Sequence, residues 1–154
     1  MEYASIDREL HIDASPDVVY DVVSSPEHIR EWWDAETEIG AVAGAEGELV
    51  WTEAATGRTQ AMRMTVVEAD RPRLFSFRWT HSDGDVAAAG NSLLVTFELI
   101  PSGSGTTLHF SETGFREMGW EIAVLEEQYR DHENGWNSFL PRLAARADEL
   151  AATP

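Results

Sequence analysis

Two hydrophobic periods divide this chain of 154 residues near residue 115. Before that point apolar side chains alternate with polar ones. Met62, Met64 and Val66 do so, then Phe75, Phe77 and Trp79, then Leu93, Val95, Phe97 and Leu99, and last Leu108 and Phe110. Such a period of two is the signature of strands with one buried face. After it, Ile122, Leu125, Tyr129, His132, Trp136, Leu140, Leu143, Ala147 and Leu150 recur every three or four residues and trace one stripe of a long helix. A sheet with one apolar face needs a cover, and the last helix is the long element available to supply it.

The remaining punctuation completes the order. Residues 3–12 alternate, with Ile6, Leu10 and Ile12 on one face. Ser15-Pro16-Asp17 then reads as a helix start, with an N-cap, proline in the first turn and an acid at the positive dipole end. Ser25-Pro26-Glu27 repeats the device ten residues on. Gly40, Gly44 and Gly47 mark a hairpin region leading into Leu49-Val50-Trp51. His81 to Gly90 reads as a polar loop, and Pro101 to Gly105 as a hairpin turn. The expectation is one strand, two short helices, about six further strands and a long helix, which Pro141 should kink or segment by removing a helical N–H. No linker or repeat is visible, so residues 1–154 are read as a single α+β domain.

Composition narrows the chemistry. Twenty-eight acidic against eleven basic residues leave a formal net charge of −17, which argues against nucleic acid and anionic membrane partners. All eleven basic residues are Arg, so a Schiff-base or Walker-type lysine is excluded. There is no Cys, which removes disulfides, thiolate nucleophiles and thiolate metal sites. Apolar runs fall far short of the ~18 residues of a membrane span, and the acidic N-terminus is unlike a signal peptide, so a cytoplasmic address is expected. Asp131-His132-Glu133 spreads around a helix and cannot converge on one metal. No nucleotide fingerprint or nucleophile elbow occurs, so no cofactor is expected.

Several stretches resemble a known family. Ala14-Ser15-Pro16-Asp17-Val18-Val19-Tyr20, Ser25-Pro26-Glu27-His28-Ile29 and Glu31-Trp32-Trp33 are similar to its opening. Val66-Val67-Glu68 with Arg71-Pro72-Arg73-Leu74-Phe75-Ser76-Phe77-Arg78-Trp79 is similar to its central hairpin. Leu94-Val95-Thr96-Phe97-Glu98-Leu99, Gly105-Thr106-Thr107-Leu108 and Thr113-Gly114-Phe115 follow in order. Asn134-Gly135-Trp136 with Phe139-Leu140 and Leu143 is similar to its C-terminal signature. Together, over residues 5–150, they resemble the START-like (SRPBCC) superfamily, and within it the domain of the activators of the heat-shock protein 90 ATPase and their bacterial stand-alone relatives. The resemblance implies a helix-grip fold: a curved antiparallel sheet of about six or seven strands wrapped around the C-terminal helix, with two short helices after the first strand. Two departures from the family pattern are the spread of its paired glycine into Gly44-Ala45-Glu46-Gly47, which bears on a cavity mouth, and Pro141, which bears on how closely the helix covers the cavity.

In that superfamily the space between sheet and helix commonly holds an apolar ligand. From the strands, the candidate lining is Trp51, Met62, Met64, Phe75, Phe77, Trp79, Phe97 and Phe110; the helix adds Trp136, Phe139 and Leu140. The same residues equally suit an ordinary core. Trp32 and Trp33 should point ~100° apart and occupy different environments, one anchoring the second short helix and the other, Trp33 in the candidate lining, bordering the cavity entrance. Glu112 follows Leu108 and Phe110 in alternation and would face inward as a general base, acid or ligand anchor, with His132 on the helix stripe as its counterpart. The plainer alternative puts Glu112 past the strand end and makes His132 an edge residue with a backbone hydrogen bond. His109 should face outward.

Three functions follow as expectations. The first is binding of a small apolar or amphipathic molecule (lipid, polyketide or aromatic metabolite). The second is a polyketide cyclase-like enzyme using the same cavity, and the third a protein-interaction domain, as the family name suggests. The first predicts a mainly apolar cavity, the second Glu112 or His132 at that cavity, the third a filled core with a large exposed apolar patch. Either a monomer or a homodimer fits.

Overall fold

The structure, a computed structural model, describes residues 2–81, 87 and 90–152. Strand β1 (Ser5–Ile12) leads into helices α1 (Pro16–Ser24) and α2 (Pro26–Trp33). Strands β2 (Glu46–Thr52), β3 (Thr59–Asp70), β4 (Leu74–His81), β5 (Leu93–Ser102) and β6 (Gly105–Thr113) follow, and helix α3 (Ile122–Ala152) closes the chain. The sheet is antiparallel and open, in the order β1-β6-β5-β4-β3-β2, so the first strand pairs with the last and β2 forms the other edge.

The local signals explain the helices. Ser15 Oγ accepts the Val18 N–H at 3.3 Å, satisfying one orphan donor at the head of α1. Ser25 occupies the same position before α2 but its hydroxyl caps no helix N–H; that helix starts on Pro26 and Glu27 alone. Alternation produces the strands. On β5 Leu93, Val95, Phe97 and Leu99 are buried, and on β6 Leu108, Phe110 and Glu112 are. Leu125, Trp136, Leu140, Leu143 and Ala147 of α3 press onto that face.

Among the described residues there are six strands, within the expected range, and the glycine-punctuated segment before β2 forms only an isolated Glu36–Val50 bridge. Two expectations change. The α3 helix is continuous through Pro141. A proline costs an interior turn ~3 kcal/mol or more, but Trp136, Leu140, Leu143 and Ala147 on either side of it are all buried, and their packing holds the helix together. At its head Ile122 remains 62% exposed, so the apolar stripe begins effectively at Leu125. The polar loop expected over residues 81–90 falls largely outside the described residues. His109 does face outward, between Glu9 and Glu98.

Polar ties fix the helix over the sheet. Arg142 of α3 forks onto Asp34, which ends α2 in a left-handed conformation, at 2.7 and 3.0 Å. Tyr129 donates its hydroxyl to the Ser5 carbonyl of β1 at 2.8 Å. At the far end of β6, Thr106 Oγ1 donates to the Ala14 carbonyl.

Gly105, at the start of β6, lies so close to β1 that a Cβ there would collide with the Ile12 carbonyl oxygen. Gly105→Ala is therefore expected to lower stability by about 1–3 kcal/mol, as overpacking does. Denaturant unfolding checks this, and an unchanged midpoint would disprove the close approach.

Candidate functional site

The space between sheet and helix is filled in one part and open in another. Phe75, Phe77, Phe97 and Phe110 are at most 2% exposed, and Met64 and Leu140 are equally buried. Phe110 packs on Trp136 with ring centroids 4.5 Å apart and on Phe97 at 5.6 Å. These six candidate lining residues therefore form packed core rather than cavity wall. On the β2–β3–β4 side the interior opens into a cleft of about 350 Å³.

Each element contributes to the cleft for a local reason. Trp33 arrives at the last turn of α2, Trp51 from β2, Met62 from β3 and Trp79 from β4. His132, Trp136 and Phe139 come from α3. Those seven expected residues share the cleft with four that sequence reasoning missed: Gln60, Gln128, Asp131 and Gly135. The signal was present, since Gln60 alternates with Met62 and residues 128, 131, 135 and 139 keep helical spacing. Gly135, which reads in sequence as an interruption, has open space where a Cβ would stand. Its missing side chain helps to keep the cleft hollow.

Most indole N–H groups here are already committed. Trp51 donates to the Trp33 carbonyl at 2.8 Å. Trp79 donates to Glu112 Oε2 at 2.7 Å and Trp136 to Glu112 Oε1 at 2.8 Å. Trp32 donates to the Val22 carbonyl, anchoring α2 to α1. What these side chains offer an occupant is ring surface rather than donors. Trp32 thus anchors the second short helix while Trp33 lines the cleft, as expected, yet the two rings are in contact. Their rings stack at 5.0 Å and 4°, because torsions beyond the Cβ realign rings whose Cα–Cβ bonds diverge. Trp33 meets Trp51 edge-on at 5.5 Å and Trp136 at 5.1 Å.

Glu112 lies behind the cleft wall, with no solvent exposure. It does not pass the strand end, because β6 continues to Thr113 with Ile6 opposite Glu112 on one side and Val95 on the other. The plainer reading of His132 also fails. Its Nδ1 lies 2.9 and 3.0 Å from the two Glu112 oxygens, and its side chain is 11% exposed. The carboxylate thus takes three donors, two indoles and an imidazole, which suits an acceptor-only group. Nδ1–H donates, leaving Nε2 without a protein partner among the described residues. Burial pushes the His132 pKa down, but the hydrogen bond and charge of Glu112, with a contribution from Asp131, prevail and raise it.

A second concavity of about 460 Å³ lies on the solvent face of β1, β6 and β5, lined by charged side chains around His109. It has the larger volume, but Phe110 is the one apolar residue in its lining, which makes the tryptophan-walled inner cleft the better small-molecule site. Among the described residues no cluster of His, Asp or Glu is placed to hold a metal ion, and no helix is long and apolar enough to cross a membrane.

Removing one partner of a buried, hydrogen-bonded pair costs about 3–5 kcal/mol, and Glu112→Ala is expected to destabilise by that order in chemical denaturation. Raising a histidine pKa on folding stabilises the fold. That contribution is complete below the unfolded value of about 6.5 and is lost as pH rises through the folded value. The stability advantage of the native chain over His132→Gln should therefore shrink as pH rises from mildly acidic. In Glu112→Gln the His132 ring resonance should titrate at lower pH. A pH-independent advantage and an unmoved titration would refute the coupling.

The fold has many counterparts. A Mesorhizobium loti protein (MLL2253) superposes with a TM-score of 0.73 at 20% identity, covering 94% of this chain and 97% of that one. A Nitrosomonas europaea protein (NE0264) gives 0.75 at 11% identity, covering 97% of each chain. DynU16, a protein of the dynemicin biosynthetic locus, gives 0.67 at 18% identity, covering 92% of this chain and 46% of its own. No functionally curated protein matches the sequence. Residues 13–148 match the family described as Activator of Hsp90 ATPase homolog 1-like protein, nearly the whole length of the α+β domain just described. The chain belongs to that family.

Proposed function

We propose that the protein binds one small aromatic or amphipathic molecule in the cleft between β2–β4 and α3. The observation that carries this reading is the cleft itself: about 350 Å³ walled by Trp33, Trp51, Trp79 and Trp136. Such a volume is at the low end of the ~300–1,000 Å³ typical of small-molecule sites. It favours a compact ring-bearing metabolite over a two-chain lipid. Rigid indole walls with committed N–H groups give affinity through buried apolar surface, about 2.5 kcal/mol per 100 Å². Gln60, Gln128 and Asp131 at the rim, with His132 deeper, would orient the polar end.

The neighbour from a natural-product locus supports a small-molecule occupant. The protein-interaction reading has less behind it. Among the described residues the exposed large apolar side chains Val42, Val67, Ile100, Ile122 and Val124 sit on a loop, two strands and a helix rather than in one named patch.

The test is native mass spectrometry of protein purified from its own host, with organic extraction of what co-purifies. A stoichiometric ring-bearing compound is expected. Gly135→Leu should fill the cleft from a helical position that has room for a side chain. Removing a mid-helix glycine stabilises by about 0.5–1 kcal/mol, so this variant should melt no lower than the native chain yet lose the compound. Retention of the compound by Gly135→Leu, or repeated absence from the native protein with no thermal shift across an aromatic-metabolite panel, would sink the reading.

A further inference from the structure

His132 lines the cleft, and its Nε2 has no protein partner among the described residues. The imidazole lines the cleft while its Nδ1 is tied to Glu112, and Glu112 is in turn immobilised by Trp79 and Trp136. The ring therefore cannot turn without breaking a buried network, and its remaining nitrogen is presented to an occupant in one orientation. Trp79 and Phe115 hold the ring edge-on at 5.4 and 5.6 Å. The charged groups acting on it are Glu112 of β6 and Asp131 of its own helix.

These surroundings discriminate among ligands. An amine cation would meet the positive charge that Glu112 favours on the imidazole. A carboxylate would add a second anion beside Glu112, with one imidazolium to balance both. An aliphatic alcohol is too weak an acid to exchange a proton with imidazole. A hydroxyl on an aromatic or enolic carbon enters neutral and has an acidity close enough to imidazole for the two to share a proton.

We propose that the cleft selects phenolic or enolic ligands and that His132 Nε2 shares the ligand's hydroxyl proton, an inference that rests on the cleft being the ligand site. In the transfer the O–H bond breaks and an N–H bond forms at Nε2. The electron pair stays on the ligand oxygen, and the Glu112 carboxylate balances the imidazolium. The reverse transfer restores the neutral ligand, so the site holds one proton between oxygen and nitrogen throughout. His132 is the binding group, and Glu112 is a positioning residue whose effect is read through the His132 titration.

The test pairs 4-nitrophenol with its methyl ether, 4-nitroanisole, on the full chain, following tryptophan quenching for affinity and the phenolate absorbance band for proton position. A hydrogen bond to a charged partner supports a preference of about tenfold or more for the phenol. The expected result is that preference, with the phenolate band of the bound probe appearing at a pH where the free probe is protonated. His132→Gln, whose amide can still donate to Glu112 but carries no base, should bring the two affinities together and abolish the phenolate band of the bound probe. Equal binding of both probes by the native chain, no phenolate band, or a preference that survives in His132→Gln would overturn the inference and leave the cleft reading standing. If neither probe binds the native chain, the inference and the cleft reading fail together.

Discussion

Glu112 joins the two layers of this fold. Its carboxylate sits on β6 with no access to water, and the side chains that solvate it come from β4 (Trp79) and from α3 (His132 and Trp136). A carboxylate in an apolar interior is tolerable only when its lone pairs are occupied. The three donors must therefore arrive at fixed positions, and that requirement sets the placement of α3 over the sheet. Arg142, through Asp34 at the end of α2, and Tyr129, through the Ser5 carbonyl of β1, hold the same helix at other points, in more exposed surroundings. The family fold supplies a helix over a sheet, and the Glu112 cluster specifies one seating of the two.

The tryptophans of that cluster touch both the filled interior and the hollow one. In the filled part, Phe75, Phe77, Phe97 and Phe110 pack ring to ring. Toward the hollow part, five of the six tryptophans form a connected set in which Trp33 touches Trp32, Trp51, Trp79 and Trp136. With Trp51, Trp79 and Trp136 held through their N–H groups, the aromatic wall has little freedom to collapse inward. The cleft persists because its walls are braced from behind.

Much of this was legible in the sequence, and the failures have physical causes. The change of period from two to about 3.6 gave the layers, because burial of one face is a local property of each element. The inward direction of Glu112 followed from alternation with Leu108 and Phe110. Whether the strand reached that far did not, since strand length depends on partners more than 90 residues away in β1 and on β5. Seven of the expected lining side chains stand at the cleft, but Met64, Phe75, Phe77, Phe97, Phe110 and Leu140 lie deeper. How far into a core a side chain sits is set by the spacing between layers, which no periodicity encodes. Helical arithmetic gave Trp32 and Trp33 different roles, but it counts Cβ directions and so did not show the torsions that bring the two rings face to face.

Gly135 carries a different lesson. A glycine inside a 31-residue helix lowers helical propensity, and a Cβ there would meet no obstacle. Hollowness at this position is thus the less stable choice, and drift toward any ordinary side chain would close the cleft while strengthening the helix. Capacity for a guest and thermal robustness are set against each other at a single codon. Descendants of such a chain can trade one for the other in one mutational step, leaving the Glu112 network and the fold untouched.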